Sequence, residues 1–593
     1  MGSHTRCLMD QNRFATVLAL RGRWTVVRRQ RATSLSYSAI LLPHNMAYDL
    51  WAAADRLEGR EAWDVVISIF NDVVGPVMRG PSSSHCAAAL RIGRLARELM
   101  DGDLREIRVE YDKNGSLATT HESHGSDMGL FAGLMGWTAT DERLPRSLAL
   151  IRESGVRVTI SIRELSDPHP NTYNLSLAND REQHTLTALS TGGGMLEVIA
   201  VDGFSLSMEG DYFETLIRLG SRDPAIQNRL VEAGLEVDHV LCLEAEAGSL
   251  LEIKGQRFLE DQEIALLGQA GEVQYVKRLA PVLPVLSRQG MRVPFTRCEE
   301  MLAYDAGRNL SLSELAILYE AERSGLTGEE VVARMGSIVR TLRSSVEQGI
   351  AGTEYENRIL GHQSGEFLAR LQGGRLLDGG LLNRMVLQVT ALMEVKSAMG
   401  VIVAAPTGGS CGAFPGACLA AAEALALSEE EAARAMLAGG LIGVFIAGKS
   451  TFAAELAGCQ AECGAGSGMA AAALVSLAKG TTQQALAAAS MALQNSLGLP
   501  CDPVANRVEV PCLGKNVMAA GNALACANMA LADFDPVVPL DQVIESMDRV
   551  GRSLPRDLRC TSLGGLSITD TSKEIEKRLG QAGDSGSFDN RSE

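Results

Sequence analysis

Cys459, Cys501 and Cys512 stand in the runs GCQAE (458–462), GLPCDPV (498–504) and VEVPCLGKN (508–516). Thiolates are the soft ligands that an iron–sulfur cluster takes, and a four-iron cubane held by only three of them leaves one iron open. An open metal position acts as a Lewis acid on a substrate oxygen. Spacing alone does not establish such a site. Gaps of 42 and 11 residues form no compact ligand pair, and buried free cysteine is common in folded cores. Cys463 follows Cys459 by four positions, so on a helix both sulfurs share one face and compete as ligands. Cys411, Cys526 and Cys560 read as packed thiols.

Two histidines draw attention upstream. His85 closes GPSSSH (80–85), just before an amphipathic run at 84–100 with Leu90, Leu95 and Leu99 on one side and Arg91, Arg94 and Arg97 beside them. Ser82, Ser83 and Ser84 offer hydroxyls and amides suited to a carboxylate at a helix start. His124 and Asp127 lie in HGSD (124–127), and Ser116 in GSL (115–117). His121 is close enough in sequence to be confused with His124. His169, in HPNT (169–172), stands between Pro168 and Pro170, where a rigid turn explains it almost as well.

Taken together and in order, GPSSSH, GSL, HGSD, HPNT and GGG (192–194) resemble the β chain of the bacterial iron–sulfur L-serine dehydratases, and the run from Gly458 to Asn516 resembles their α chain. The resemblance covers roughly 61–578. It implies a [4Fe–4S] cluster on Cys459, Cys501 and Cys512, with Cys463 passed over on family position. It implies β-elimination of water from L-serine, giving pyruvate and ammonia, with His85 as base and His124 as the competing choice. Ser82, Ser83, Ser84, Ser116 and Asp127 are implied on the substrate side. The glycine-rich turn GVIVAAPTGGSCGAFPG (400–416) adds Thr407, Gly408 and Gly409 as carboxylate contacts. Two positions depart from the pattern: Cys86 stands where threonine is usual, and Lys396 where asparagine is expected. They keep open a lyase of the same scaffold acting on another β-substituted amino acid, such as L-cysteine. A non-catalytic regulatory protein is the reading from a different class. Some relatives end in a cysteine able to reach the fourth iron, whereas this sequence ends Arg591-Ser592-Glu593, so that form of capping is not expected. No Schiff-base lysine motif suggests pyridoxal phosphate.

Composition narrows the partners. A net charge of −17 argues against nucleic acid. Twelve cysteines without a secretory leader suggest a reducing, cytoplasmic setting. The longest apolar run, about 436–448, is shorter than the roughly 20 residues that cross a bilayer. A small-molecule amino-acid substrate and a homodimer, with no nucleic acid and no membrane, are the expected partners. Gly443–Ser450 satisfies the expression G-x4-G-K-[ST], but its apolar interior and Ala/Gly/Leu-rich approach read as a buried helix, not a phosphate loop.

These residues need a multidomain frame. Residues 1–60 read as a leader or extension; within them, 1–48 hold seven arginines and one acid, Asp10, either a transit-like segment or an addition before Met46. Residues 61–205 read as an α/β domain. Residues 206–292 read as strand, helix, two strands, helix, strand, an ACT-like βαββαβ domain. Its first turn, Ser221-Arg222-Asp223-Pro224, lacks the glycines of effector-binding examples. Residues 293–580 read as mainly α-helical and cluster-binding, and 581–593 as a disordered tail.

Overall fold

The computed structural model describes residues 66–584 apart from 168, 221–236, 246–247, 268–272 and 356–357, together with two short strands, β1 (Ala15–Leu20) and β2 (Arg23–Arg28). The strands β1 and β2 pair antiparallel, Ala15 opposite Arg28, in a unit distinct from the one described below. Most of the expected leader, the Ser221–Pro224 turn and the tail from 585 lie outside the described residues. The last helix, Asp570–Asp584, runs a few residues into the stretch expected to be tail.

Two loops of the site are brought together by a short antiparallel ladder. Strand β3 (Val77–Arg79) leads into GPSSSH, and its partner Val401–Val403 leads into the Thr407–Ser410 turn, with Ile402 opposite Met78. After β3 the chain makes one π-helical turn, Ser83–Ala87, and continues as helix α1 (Ala88–Leu99). That is the amphipathic run seen in the sequence.

Helix α1 packs on a six-stranded sheet. Its strands are β4 (Glu106–Asp112), β5 (Arg157–Arg163), β6 (Thr172–Ala178), β7 (Gln183–Gly192), β8 (Met195–Val201) and β9 (Phe204–Met208), in the order β5-β4-β6-β7-β8-β9. Only β4 and β5 are parallel, so they need a crossover, and helix α2 (Ser126–Leu134) lies within it. Ile107, Val109 and Tyr111 alternate inward from β4 and meet Leu95 and Leu99 of α1 in one core. Helices α1 and α2 touch backbone to backbone. A Cβ on Gly129 would lie 2.0 Å from the Cys86 carbonyl oxygen, so only glycine lets α2 seat the His124 loop against the His85 turn.

Four further strands form a second sheet: β10 (Phe213–Leu219), β11 (His239–Ala245), β12 (Gly248–Gly255) and β13 (Val273–Leu279), in the order β11-β12-β10-β13 and antiparallel throughout. That strand order is the one a ferredoxin-like arrangement has, and of its two helices one, Asp261–Leu267 before β13, is among the described residues. The segment expected to supply the first helix lies outside the described residues.

The C-terminal region is helical, as expected. Its main elements are α3 (Leu381–Ser397), α4 (Ala413–Ala424), α5 (Glu429–Ala447), α6 (Ala465–Leu477), α7 (Thr482–Gln494) and α8 (Cys512–Leu531). Helix α6 is apolar on nearly every face and lies among α4, α5, α7 and α8, the placement such a helix requires. Helix α5 starts on a capping box in which Ser428 and Glu431 bond each other's backbone amides. It continues to Ala447 with Gly443–Ile446 buried, so this stretch is helix and no phosphate loop forms. Among the described residues no helix is long and apolar enough to cross a membrane.

Candidate active site

The thiols come first. Cys459, Cys463, Cys501 and Cys560 pack in one buried cluster with Ala413, Ala454 and Ala519, and Cys512, half-buried at the first turn of α8, is close enough to feel the charge of Cys459 and Cys501. Cys459 immediately precedes a π-helical turn, Gln460–Gly464, that leads into α6. Cys501 and Cys560 are locked side by side: Cys501 N donates to Leu558 O at 2.8 Å and Cys560 N to Cys501 O at 3.0 Å. The Cys463 thiol donates to Cys459 and, helped by the Lys515 ammonium, draws Cys459 down to about 7 against its burial. Donation from Cys501 to Cys560, reinforced by burial, pushes Cys501 well up. Cys526 lies elsewhere, beside Asn495 and Asn522.

Cys560, which reads from sequence as a packed thiol, stands in this group. It lies 48 residues beyond Cys512, and nothing in its local pattern announces the contact. Soft, buried donors of this number suit an iron–sulfur cluster.

A buried polar group joins the thiols to two histidines through Ser116, on Cys560 O, and Thr120, on Ser116 O. His85 is fully buried; its Nε2 is 2.9 Å from Thr120 Oγ1 and its Nδ1 is 3.2 Å from Ser82 Oγ. The His124 ring stands edge-on to it, with centroids 4.8 Å apart. Burial, then His124 and His121, hold His85 well below the usual histidine range. Burial, then Arg507 and Lys396, bring His124 down to about 4 against acceptor atoms of Asn506. Both imidazoles are therefore neutral at pH 7. The His124 Nε2 is buried without a partner.

Several expected residues serve as joints. Ser83 Oγ accepts from the Gly408 amide at 2.9 Å, Ser84 O accepts from Ser190 Oγ at 2.6 Å, and Ser116 Oγ donates to Cys560 O at 3.4 Å. Thr407 Oγ1 donates to Glu462 Oε1 at 2.6 Å. Gly409 permits this approach, since a Cβ there would stand 2.7 Å from that same oxygen. Asp127 is engaged by Tyr111 OH at 3.2 Å and His121 Nδ1 at 2.8 Å, so it is His121, not His124, that it pairs with. His169 Nδ1 accepts from Asn171 N at 3.1 Å and burial lowers its pKa to about 4. Lys396 is fully buried, packs against Gly80 and donates to Val508 O. Cys86 is buried, its carbonyl against Gly129.

Two carboxyls and two asparagines escaped the sequence reading. Glu462 is pushed up to about 8 by burial and by the charge of Cys459, against the Thr407 bond. Glu455 Oε1 lies 3.6 Å from His85 Nδ1, and its pKa is raised by burial against the Asn171 amide and a backbone amide. Asn171 stands beside Glu455 and Asn506 beside His124. Glu462 sits within GCQAE and Asn171 within HPNT, so the motifs held the signal. Glu455 and Asn506 lie outside every motif.

The family model for the serine dehydratase beta chain matches residues 72–199, and that for the alpha chain matches 307–567. The L-serine dehydratase of Haemophilus influenzae is 32% identical over 519 residues, covering 85% of this chain and 99% of that protein. L-serine dehydratase 1 of Escherichia coli is 26% identical over 507 residues, covering 82% and 96%. The probable L-serine dehydratase alpha chain of Bacillus subtilis is 36% identical over 285 residues, covering 48% and 95%. With beta-chain and alpha-chain regions joined in one polypeptide, this chain belongs to the serine dehydratase family.

Proposed function

We propose that this chain is an iron–sulfur L-serine ammonia-lyase that removes water from L-serine, the product hydrolysing to pyruvate and ammonia. The observation that carries the reading is the buried thiol group adjoining two neutral imidazoles. Cys459, Cys501 and Cys512 are the proposed ligands, with Cys463 and Cys560 alongside. A [4Fe–4S] cluster held there would supply Lewis-acid chemistry to substrate oxygens.

The chain's own residues account for the proton. The Cα–H of serine is a weak acid, and a neutral imidazole is a suitable base near pH 7. Both ring nitrogens of His85 are engaged, by Ser82 and Thr120, whereas His124 Nε2 is unpartnered. The base role therefore goes to His124, the competing choice at the level of sequence, and His85 supports its ring. Ser83 and Gly408 hold the two loops of the site together.

A second reading, elimination from another β-substituted amino acid such as L-cysteine, is favoured by the buried Lys396, whose charge reaches His124 and Cys512. The β10–β13 layer is read as an ACT-like domain with a structural role. The described cysteines are free thiols, which suits a cytoplasmic location. Protein purified without oxygen is expected to convert L-serine faster than L-cysteine, to lose activity in air, and to recover it with ferrous iron and a reductant. Indefinite turnover in air by iron-free protein contradicts the reading.

A further inference from the structure

We propose that Glu455, with Asn171 beside it, forms the subsite for the α-ammonium group of the substrate. The inference rests on reading the buried polar group as an amino-acid site and adds the group that selects an amino acid over a hydroxy acid.

The fold buries several polar atoms here and leaves them unused. The Glu455 side chain is 4% exposed, and its Oε2 has no hydrogen-bond partner. Its Oε1 lies 3.6 Å from His85 Nδ1, too far for a hydrogen bond, and that nitrogen already meets Ser82. Among the described residues, the groups that oppose the burial of Glu455 are amides, its own and that of Asn171, with no lysine or arginine. Asn171 is fully buried; its amide lies beside Glu455 and eases that burial, but neither Nδ2 nor Oδ1 reaches a full hydrogen bond. Its backbone is pinned on both sides, by His169 Nδ1 and by the Ser190 amide, so the free side chain is held in place.

A buried carboxyl and a buried amide left unbonded are costly in a finished core. The Glu455 carboxylate and the Asn171 Oδ1 are satisfied when a ligand brings hydrogen-bond donors and positive charge, as an ammonium does, while Asn171 Nδ2 faces Glu455. The third unused atom, His124 Nε2, belongs to the ring stacked edge-on to His85, the same residue that Glu455 faces. An ammonium at Glu455 thus lies on the same histidine pair as the proposed base, with His85 between them. Selectivity follows from the same groups: a hydroxy acid offers no charge to the carboxylate.

Glycine and glycolate separate the two chemistries, because they differ only in ammonium against hydroxyl and neither can eliminate water. Calorimetric binding to the iron-loaded enzyme should favour glycine at least tenfold. Glu455→Gln, checked for unchanged iron content, should lose that preference, with glycolate affinity unaltered and the KM for L-serine raised more than kcat falls. Glu455→Asp, which keeps the charge, should restore part of it and covers the case in which the glutamine variant does not fold. Equal glycine affinity in wild type and Glu455→Gln, or loss of all preference in Glu455→Asp, overturns the subsite. If wild-type protein prefers glycine but neither holds iron nor turns over L-serine, the subsite stands and the proposed reaction fails.

Discussion

Ser83 Oγ accepts a hydrogen bond of 2.9 Å from the Gly408 amide across 325 residues of sequence, tying the β-chain-like loop to the α-chain-like turn. The bond is buried, and the β3 ladder with Val401–Val403 aligns the two segments just before it. Fusion of the two regions into one polypeptide makes this joint intramolecular.

Ser83→Ala leaves the Gly408 amide buried without its acceptor. The expected loss is about 1–3 kcal/mol in stability, with a higher KM for L-serine as the Thr407 turn loosens. Urea denaturation and steady-state kinetics measure both. An unchanged midpoint and unchanged KM would show that the joint is idle.

His124→Ala should lower kcat by ~10²–10⁴, the usual contribution of a positioned base, with the iron content intact. His85→Ala should weaken turnover less and leave exchange of the serine Cα proton with solvent deuterium measurable. Exchange that survives in His124→Ala and vanishes in His85→Ala would return the base role to His85.

Burial holds His124 and His169 at about 4, against about 6.5 in an unfolded chain. Between those values the unfolded chain binds more protons, so stability is complete above pH 6.5 and is lost as pH falls toward 4. At pH 5 the loss is roughly 2 kcal/mol for each histidine. Denaturation of wild type and His169→Gln at pH 7 and pH 5 tests this, because the variant should show a shallower pH dependence. Parallel curves for the two proteins would contradict it.

Cys459→Ala, Cys501→Ala and Cys512→Ala should each prevent iron incorporation, whereas Cys463→Ala and the distant Cys526→Ala should retain it. Iron lost in Cys463→Ala but kept in Cys512→Ala reverses the proposed ligand set.

Much of this frame was legible from local pattern. The alternation in EIRVEYD, the amphipathic run after GPSSSH and the strand–helix order after Phe213 correspond to β4, α1 and β10–β13. Strands β6, β7 and β9 went unread, although QHTLTALSTG alternates between buried and exposed positions along most of β7. The contacts of Glu455, Asn506 and Cys560 were not legible. Each depends on segments far apart in the chain meeting at one point, as when the Cys501 loop pairs with residues 558–560, and no local periodicity encodes such a meeting. The pairing of Asp127 with His121 was similarly hidden, because His121 stands just ahead of the motif and His124 inside it.

The proposed iron–sulfur cluster on the buried thiols is tested most directly by its content and spectrum. Protein purified without oxygen should contain four irons and four acid-labile sulfides per chain, the content of a [4Fe–4S] cluster. It should show a broad visible absorption band that shifts when L-serine is added. Iron-free protein that still turns over L-serine, or a resolved pyridoxal aldimine band in place of the broad one, would contradict the account.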